Sequence, residues 1–587
     1  MSEHSADRGG PGVPQPSLPT VWRGAPLAQE LWAGLAWGAI AAAAVAVFLY
    51  FWLVEGGLAD TVFATAVTLA IAAAIVCICR QALVAAVLVL AMVGIVRTIS
   101  HAKQQASEVV LHAYDLVTFA RSWSGLQQAW SEQPTLVLGV AIALLAAAAA
   151  SWAAVRLEAP RVPRRYAAGA LGLLVGIAWM ADAERGPRRH TEFYFESAYV
   201  TFFYTSWSET AQALWRGRLI EAAGREAMPP QDGRLEVPAH CTPATKPPHI
   251  VLIHQESVVP PALFPTLGYD RSLDPFFLSL DGKLNKLRVE TYGGASWLTE
   301  FSLLTGLSTH SFGGMRHFLQ HVMAGGIADT LPQALGRCGY RNVMLYPMLR
   351  HFLGSGRFFE AVGFGEIVDA KAQGAKLANE RDRFYYGNAL AEIDRHVAAS
   401  DRPLFLYIQT MAAHGPYDYA YSPEVAVAGG GPGTPPQMSE YLRRLAMARM
   451  DYAYLRAELV RRFPRQAFLI VHYGDHQPTA TQSLLGFDAN ASIEDIVASG
   501  GDAAHMTYYA VDAVRYRPPP LPSLDTLDVA YLGTMLLEAA GVALSDAHRE
   551  RRRLMLLCKG RYHDCPAREE VLRFHRRLID AGLMKAL

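Results

Sequence analysis

Five apolar runs in the C-terminal part of this chain end in side chains that can do chemistry. HIVLIH runs into Gln255 and Glu256, and KLRVETY into Gly293, Gly294, Ala295 and Ser296. RNVMLY leads toward Arg350 and Arg357, PLFLYIQT toward His414, and QAFLIVHY into Gly474, Asp475 and His476. Taken singly each is weak, because an Asp after a strand is more often a helix cap and a lone His a satisfied structural residue. Together they carry carboxylate, hydroxyl, guanidinium and imidazole groups toward one rim. Two glycines just ahead of the Ala295–Ser296 pair allow a phosphate to approach the backbone closely.

Such a rim needs a sheet behind it. The runs are short, rich in β-formers and separated by helical segments from His249 onward, the pattern of an α/β sheet with helices on both faces. They are apolar enough for buried central strands, and ligands of open α/β sheets bind beyond the carboxyl ends of the strands.

The first third of the chain is different. Hydrophobic residues are 51% of 587 and charged residues 18%, with the apolar excess concentrated before about residue 185. Five stretches, near 33–54, 60–79, 81–98, 135–155 and 166–182, approach or reach the roughly 20 residues that cross a bilayer. The polar, Pro-rich N-terminus has no short apolar core or cleavage signal, so the first stretch reads as a retained helix. Arg156, Arg161, Arg164 and Arg165 between the fourth and fifth stretches mark a cytoplasmic loop, with Arg23 and Arg80 on the same side. The N-terminus is then inside and everything after about residue 183 outside. Residues 193–215 are densely aromatic and read as an interfacial or coupling helix, or as a packing helix of the globular part. CTPATKPP reads as the linker. The divisions are a cytoplasmic segment 1–32, a transmembrane domain 33–182, an interfacial helix and linker 183–246, a catalytic domain 247–545 and a helical extension 546–587. Lys+Arg and Asp+Glu are both 53, which removes the bulk electrostatic case for nucleic acid. Cys77 and Cys79 lie in an apolar run. Cys558 and Cys565 bracket KGRYHD at a spacing that could close a small loop in an oxidising compartment, and Cys241 with Cys338 is a second possible pair.

VLIHQES, TYGGASWLTEFSLLTGLS, MAAHGPYDY and VHYGDHQP, in that order, resemble the lipoteichoic-acid-synthase-like branch of the alkaline phosphatase/sulfatase superfamily. That branch includes phosphoglycerol transferases, and phosphoethanolamine transferases are more distant relatives. The resemblance covers roughly residues 34–545 and implies a five-helix transmembrane bundle followed by an α/β sulfatase-like domain with a central, mostly parallel sheet. It implies Ser296 as nucleophile, Glu256, Ser296, Asp475 and His476 around one metal ion, and His414 and Arg357 as substrate-binding residues. The teichoic-acid synthases usually carry Thr where this chain has Ser296, which leaves the hydroxyl but not the substrate subgroup. The residues themselves agree with this chemistry. A serine hydroxyl is a weak nucleophile until a base or metal lowers its pKa, and a mixed O/N ligand set suits Mn²⁺, or Zn²⁺, and less well Mg²⁺.

The reaction implied takes a phosphoglycerol or phosphoethanolamine group from a membrane phospholipid to a glycan or lipid acceptor, in a multi-pass protein of the bacterial inner membrane. The alternatives are a hydrolase of the same fold and, in another class, a non-catalytic membrane sensor or scaffold. A sulfatase proper is disfavoured because WLTE follows Ser296, without the Pro and Arg that formylglycine formation needs. Thr299 is a rival nucleophile, and Glu300 reads as a supporting or capping residue. His505 either faces the site or is structural, while His254, His310 and His472 read as structural. His548–Arg553 reads as a solvated helix face, GPRRH at 186–190 is ambiguous, and GGGPGT at 429–434 is a flexible loop with no nucleotide-binding context. The loop arginines predict that reporter fusions after residue 160 behave as cytoplasmic and fusions after residue 190 as extracytoplasmic. A cytoplasmic signal from the second fusion overturns the placement of the site.

Overall fold

The computed structural model describes residues 26–107, 110–120, 130, 133–156, 161–185, 198–216, 220, 235–241, 246–350, 355–488, 491 and 493–585. GPRRH, residues 193–197 of the aromatic segment and residues 242–245 of the linker lie outside them. The chain divides into two compact units, Met1–Thr98 with Ser124–Arg185, and Ile99–Trp123 with Gly186–Leu587.

Five helices among the described residues are long and apolar enough to cross a membrane: Ala33–Glu55, Leu58–Cys79, Ala82–Gln104, Pro134–Arg156 and Arg164–Glu184. The chain is a multi-pass membrane protein. In the first unit Leu58–Cys79 packs along Arg164–Glu184. Ala64, Ala66, Ala70 and Ala73 of one and Ala167, Ala178 and Ala181 of the other are buried, so small side chains let the backbones approach, as helix pairs in lipid require. Leu53, Ile78, Trp152 and Trp179 point outward, an apolar surface suited to lipid rather than water.

The second unit is built on one sheet of β1 (His249–Gln255), β2 (Asn285–Arg288), β3 (Arg341–Leu345), β4 (Glu366–Val368), β5 (Leu404–Gln409), β6 (Phe468–Gly474), β7 (Met506–Val514) and β8 (Thr526–Asp528). Their spatial order is β4-β3-β5-β1-β6-β7-β2-β8. Only β7 runs against the rest, antiparallel to both β6 and β2. Successive side chains of a strand point to opposite faces, and the two faces carry separate cores. Ile250, Leu252, Phe405, Tyr407, Leu469 and Val471 enter one, while Val251, Ile253, Leu404, Leu406, Phe468 and Ile470 enter the other. Burial on both faces is why these strands read as unbroken apolar runs.

The structure departs from the sequence reading at two places and, at a third, decides between the alternatives it offered. KLRVETY is not a buried central strand: β2 is four residues long, lies one strand from the edge and leaves Lys286 exposed. Its polar alternation is the reason, since Arg288 pairs with Asp528 of β8 through two contacts of 2.8 Å. The aromatic segment forms a helix, Tyr199–Arg216, whose Tyr199, Phe202, Phe203 and Tyr204 are buried in protein rather than presented to a membrane interface. Ser206 Oγ accepts from Ala113 N at 2.8 Å, and the His112 ring packs at a tilt against Phe202 and Phe318. Residue 545 is no boundary either. Helices Asp546–Leu557 and Arg568–Asp580 put Leu554, Met555, Val571, Phe574 and Leu578 into the first core. Arg551, placed on a solvated face by the sequence reading, is fully buried and donates to Thr305 O and Gly306 O.

Two disulfides close this unit, Cys241–Cys338 over 97 residues and Cys558–Cys565 over 7. Loop-closure entropy makes the longer one worth about 5 kcal/mol and the shorter about 2 kcal/mol. Cys338→Ala should therefore lower the unfolding midpoint of the full chain in detergent by more than Cys565→Ala. Equal shifts would show that the 97-residue loop is already constrained in the unfolded chain.

Candidate functional site

The parallel pairing of β1 with β6 sets Gln255 beside Gly474, so the next residue of each strand, Glu256 and Asp475, emerge together. The approach is close enough to require glycine: a Cβ on Gly474 would lie 1.9 Å from Val258 O. Asp475 Oδ1 accepts from Ser257 N and from His476 N, each at 2.8 Å. Glu256 Oε1 accepts from Ser257 Oγ at 2.8 Å, and Oε2 from Ser296 Oγ at 3.2 Å. Ser296 begins helix Ser296–Thr305, preceded by Ala295 in the left-handed region at φ 61°. That turn is costly for a residue with a Cβ and presents the hydroxyl at a helix N-terminus, where developing negative charge is favoured.

Both carboxylates are buried, as are His254 and His476. His476 Nδ1 lies 3.0 Å from Gln477 O, and a carbonyl only accepts, so Nδ1 carries the hydrogen and Nε2 faces the acids. Nε2 is 3.3 Å from Glu256 Oε1, 3.3 Å from Asp475 Oδ2 and 3.4 Å from Ser296 Oγ. Burial works against charge on His476, but Asp475 and Glu256 outweigh it and raise its pKa to about 9. Burial likewise opposes charge on Glu256, yet His476 and the hydrogen bonds around it hold the carboxyl well below its usual range. Asp475 Oδ2 is buried and accepts no aligned hydrogen bond, although His254 Nε2 is 3.1 Å away. An orphaned carboxylate oxygen beside an imidazole nitrogen and a second carboxylate is a donor set that fits a divalent cation.

The sequence reading takes His254 as structural; the structure sets its Nε2 3.1 Å from Asp475 Oδ2 and 3.8 Å from Glu256 Oε2, against both carboxylates. The available signal was strand parity, since His254 and Glu256 are two apart along β1 and its exit. Thr299 Oγ1 donates to Asp475 O at 2.8 Å and is buried, so its hydroxyl is already committed. Glu300 is buried and accepts from Gln409 and Gln320 at 2.7 and 2.9 Å, with burial pushing its carboxyl up. His472 packs in the core against Tyr508. His505 bonds Gly501 O at 3.0 Å, and Arg316, Glu290 and Arg288 are among the charges that bear on it; His310 lies 3.5 Å from Glu290.

His414 sits on the loop after β5, near enough for its charge to bear on Glu256. Arg444 fixes that loop. Its guanidinium is fully buried among Tyr417, Tyr419 and Tyr421 at 5.0–5.1 Å and donates to His414 O, Pro416 O and Glu440. Arg357 is exposed on helix Ser355–Ala361, with no ion pair or hydrogen bond among the described residues. Its helix is tied to helix Ser296–Thr305 through Gln320, which accepts from Ser355 Oγ at 2.7 Å and donates to Trp297 O at 3.2 Å. Arg350 instead pairs with Glu360.

Residues 248–512, the part of the chain built on this sheet, match the Sulfatase family model. An uncharacterized protein of Haemophilus influenzae is 24% identical over 325 residues, 53% of this chain and 54% of that one. The chain thus spans about half the length of that curated relative. Among solved structures, the phosphoglycerol transferase GacH of Streptococcus pyogenes, in complex with sn-glycerol-1-phosphate, superposes with a TM-score of 0.44 at 15% identity, over 64% of this chain and 91% of that one. The integral membrane lipooligosaccharide phosphoethanolamine transferase A (EptA) of Neisseria meningitidis gives 0.45 at 12% identity, over 86% and 96%.

At the base of the His414 loop, Asp382 Oδ1 accepts from Ala412 N at 3.1 Å. Burial first, and the Asp451 charge second, push its carboxyl up to about 7. The folded state therefore holds a proton that the unfolded chain releases near pH 4, and this contribution to stability is full below that pH and lost as pH rises through 7. Asp382→Asn keeps an acceptor oxygen but cannot ionise. It should be more stable than wild type at pH 8, by on the order of 2 kcal/mol, and lose the advantage near pH 4. A pH-independent difference in unfolding midpoint would mean that Asp382 is not held protonated.

Proposed function

We propose that this protein is a metal-dependent phosphotransferase that works outside the cytoplasm. It takes a phosphoglycerol, or phosphoethanolamine, group from a membrane phospholipid, holds it on Ser296 and passes it to a glycan or lipid hydroxyl. The observation that carries this reading is the Ser296 hydroxyl, half-buried at a helix N-terminus within 3.4 Å of both Glu256 and His476. The sulfatase-family match over 248–512 supports the chemistry, the five apolar helices keep a lipid donor at high effective concentration, and the two disulfides favour an oxidising compartment.

Glu256, Asp475, His476 and Ser296 would hold one divalent cation, with Mn²⁺ best suited and Zn²⁺ or Mg²⁺ as alternatives. When bound, such an ion lowers the pKa of a hydroxyl and screens phosphodiester charge. In the first half-reaction Ser296 Oγ forms a bond to phosphorus while the bond from phosphorus to the diacylglycerol oxygen breaks, and that oxygen takes up a proton. In the second, an acceptor hydroxyl attacks phosphorus, the bond to Ser296 breaks and the serine regains its proton. Arg357 and His414 supply donors to the phosphodiester oxygens.

Full-length protein incubated with head-group-labelled phosphatidylglycerol or phosphatidylethanolamine should yield diacylglycerol without acceptor and a labelled peptide containing Ser296. Ser296→Ala should abolish both, Ser296→Thr should retain measurable activity, and Asp475→Ala should lose bound metal. Diacylglycerol release at the wild-type rate by Ser296→Ala would sink the nucleophile assignment, and absence of turnover in wild type with either lipid would favour the scaffold reading.

A further inference from the structure

Beneath the two carboxylates lies a buried polar network that the catalytic reading above does not use. His254 Nδ1 is 3.0 Å from Tyr473 Oη and 3.2 Å from Tyr407 Oη, and the two phenol oxygens are 2.8 Å apart. Gln409 Nε2 donates to Tyr407 Oη at 3.5 Å and to Glu300 Oε1 at 2.7 Å. All five residues are buried, so each hydrogen needs an acceptor.

Counting hydrogens assigns the imidazole. The two phenols bring two hydrogens, and the acceptors within reach are the other phenol oxygen and His254 Nδ1. If Nδ1 carried a hydrogen, in a neutral or a protonated imidazole, one phenol hydrogen would face no acceptor among the described residues. Nδ1 therefore accepts and Nε2 carries the hydrogen. That N–H lies 3.1 Å from Asp475 Oδ2 and 3.8 Å from Glu256 Oε2, a charge–dipole contact with both carboxylates rather than an aligned hydrogen bond to one. With its hydrogen there, His254 offers no lone pair to a cation.

We propose that His254 is a positioning residue rather than a ligand: held by the Tyr473–Tyr407 pair, it fixes the Asp475 and Glu256 carboxylates in the orientation in which they take a divalent cation. This rests on the metal-site reading above. Outer partners of this kind typically contribute about 10- to 100-fold to metal affinity. The tyrosines matter because they hold the ring by its far nitrogen, which is what selects the hydrogen position on Nε2.

The test is the affinity of the metal-stripped full-length protein in detergent for Mn²⁺ and for Zn²⁺, measured by calorimetry, with the unfolding midpoint recorded for each variant. His254→Ala should weaken binding about 10- to 100-fold. His254→Gln, whose amide N–H can replace Nε2–H, should recover most of that loss. Tyr473→Phe removes the phenol without touching either carboxylate and should give an intermediate loss that does not add to that of His254→Ala. Two results overturn the proposal: wild-type affinity in His254→Ala, or no binding in His254→Gln together with wild-type affinity in Tyr473→Phe, which would make His254 a ligand. Asp475→Ala separates the underlying reading, because unchanged metal binding in that variant removes the metal site itself.

Discussion

Two carboxylates, Glu256 and Asp475, are buried side by side where adjacent parallel strands end, and much of the second unit is arranged to make that arrangement tolerable. Burying a charge costs several kcal/mol unless it is paired and hydrogen-bonded. Here the balance comes from the N–H groups of Ser257 and His476, the Ser257 and Ser296 hydroxyls, and the His254 and His476 imidazoles. The result depends on strand register. A one-residue slip between β1 and β6 would turn every side chain of one strand to the opposite face and part the two acids. The match of alternate residues to two separate cores forbids that slip, so the hydrophobic packing of the sheet also enforces the electrostatics of the site.

Around this pair the remaining groups arrive on separate, individually braced segments. Ser296 is presented by a strained turn into a helix that buries Leu298, Phe301, Leu303 and Leu304 in the core. His414 is carried on a loop that would have little rigidity of its own, and Arg444 supplies it by anchoring two carbonyls within a cage of three tyrosines. Arg357, by contrast, is exposed and has no ion pair or hydrogen bond among the described residues.

The membrane unit obeys a different rule. Its helices expose large apolar side chains and bury alanines, the reverse of the second unit. In lipid no hydrophobic gain separates a leucine on the surface from one inside, and close backbone packing decides which face is buried.

Much of this was legible in the order of residues. The membrane spans, the parallel strands β1, β3, β5 and β6, and the placement of Glu256, Ser296, His414, Asp475 and His476 at strand or loop exits all follow from local patterns: run length, apolar continuity, and the residue types just beyond. Other features had no local pattern to read. The three-residue strands β4 and β8 are too short to show a period, and the place of β2 next to the sheet edge is set by its pairing with β7 and β8. Arg551 and the aromatic helix at Tyr199–Arg216 look like surface or interface material until partners distant in the chain cover them. His254 is the clearest case. Its type and position suit a satisfied core histidine, and only the meeting of β1, β5 and β6 sets two tyrosines behind its ring and two carboxylates in front. Local sequence determines which groups a strand delivers; which of them face one another is decided by strand order and register, which depend on contacts between residues far apart in the chain.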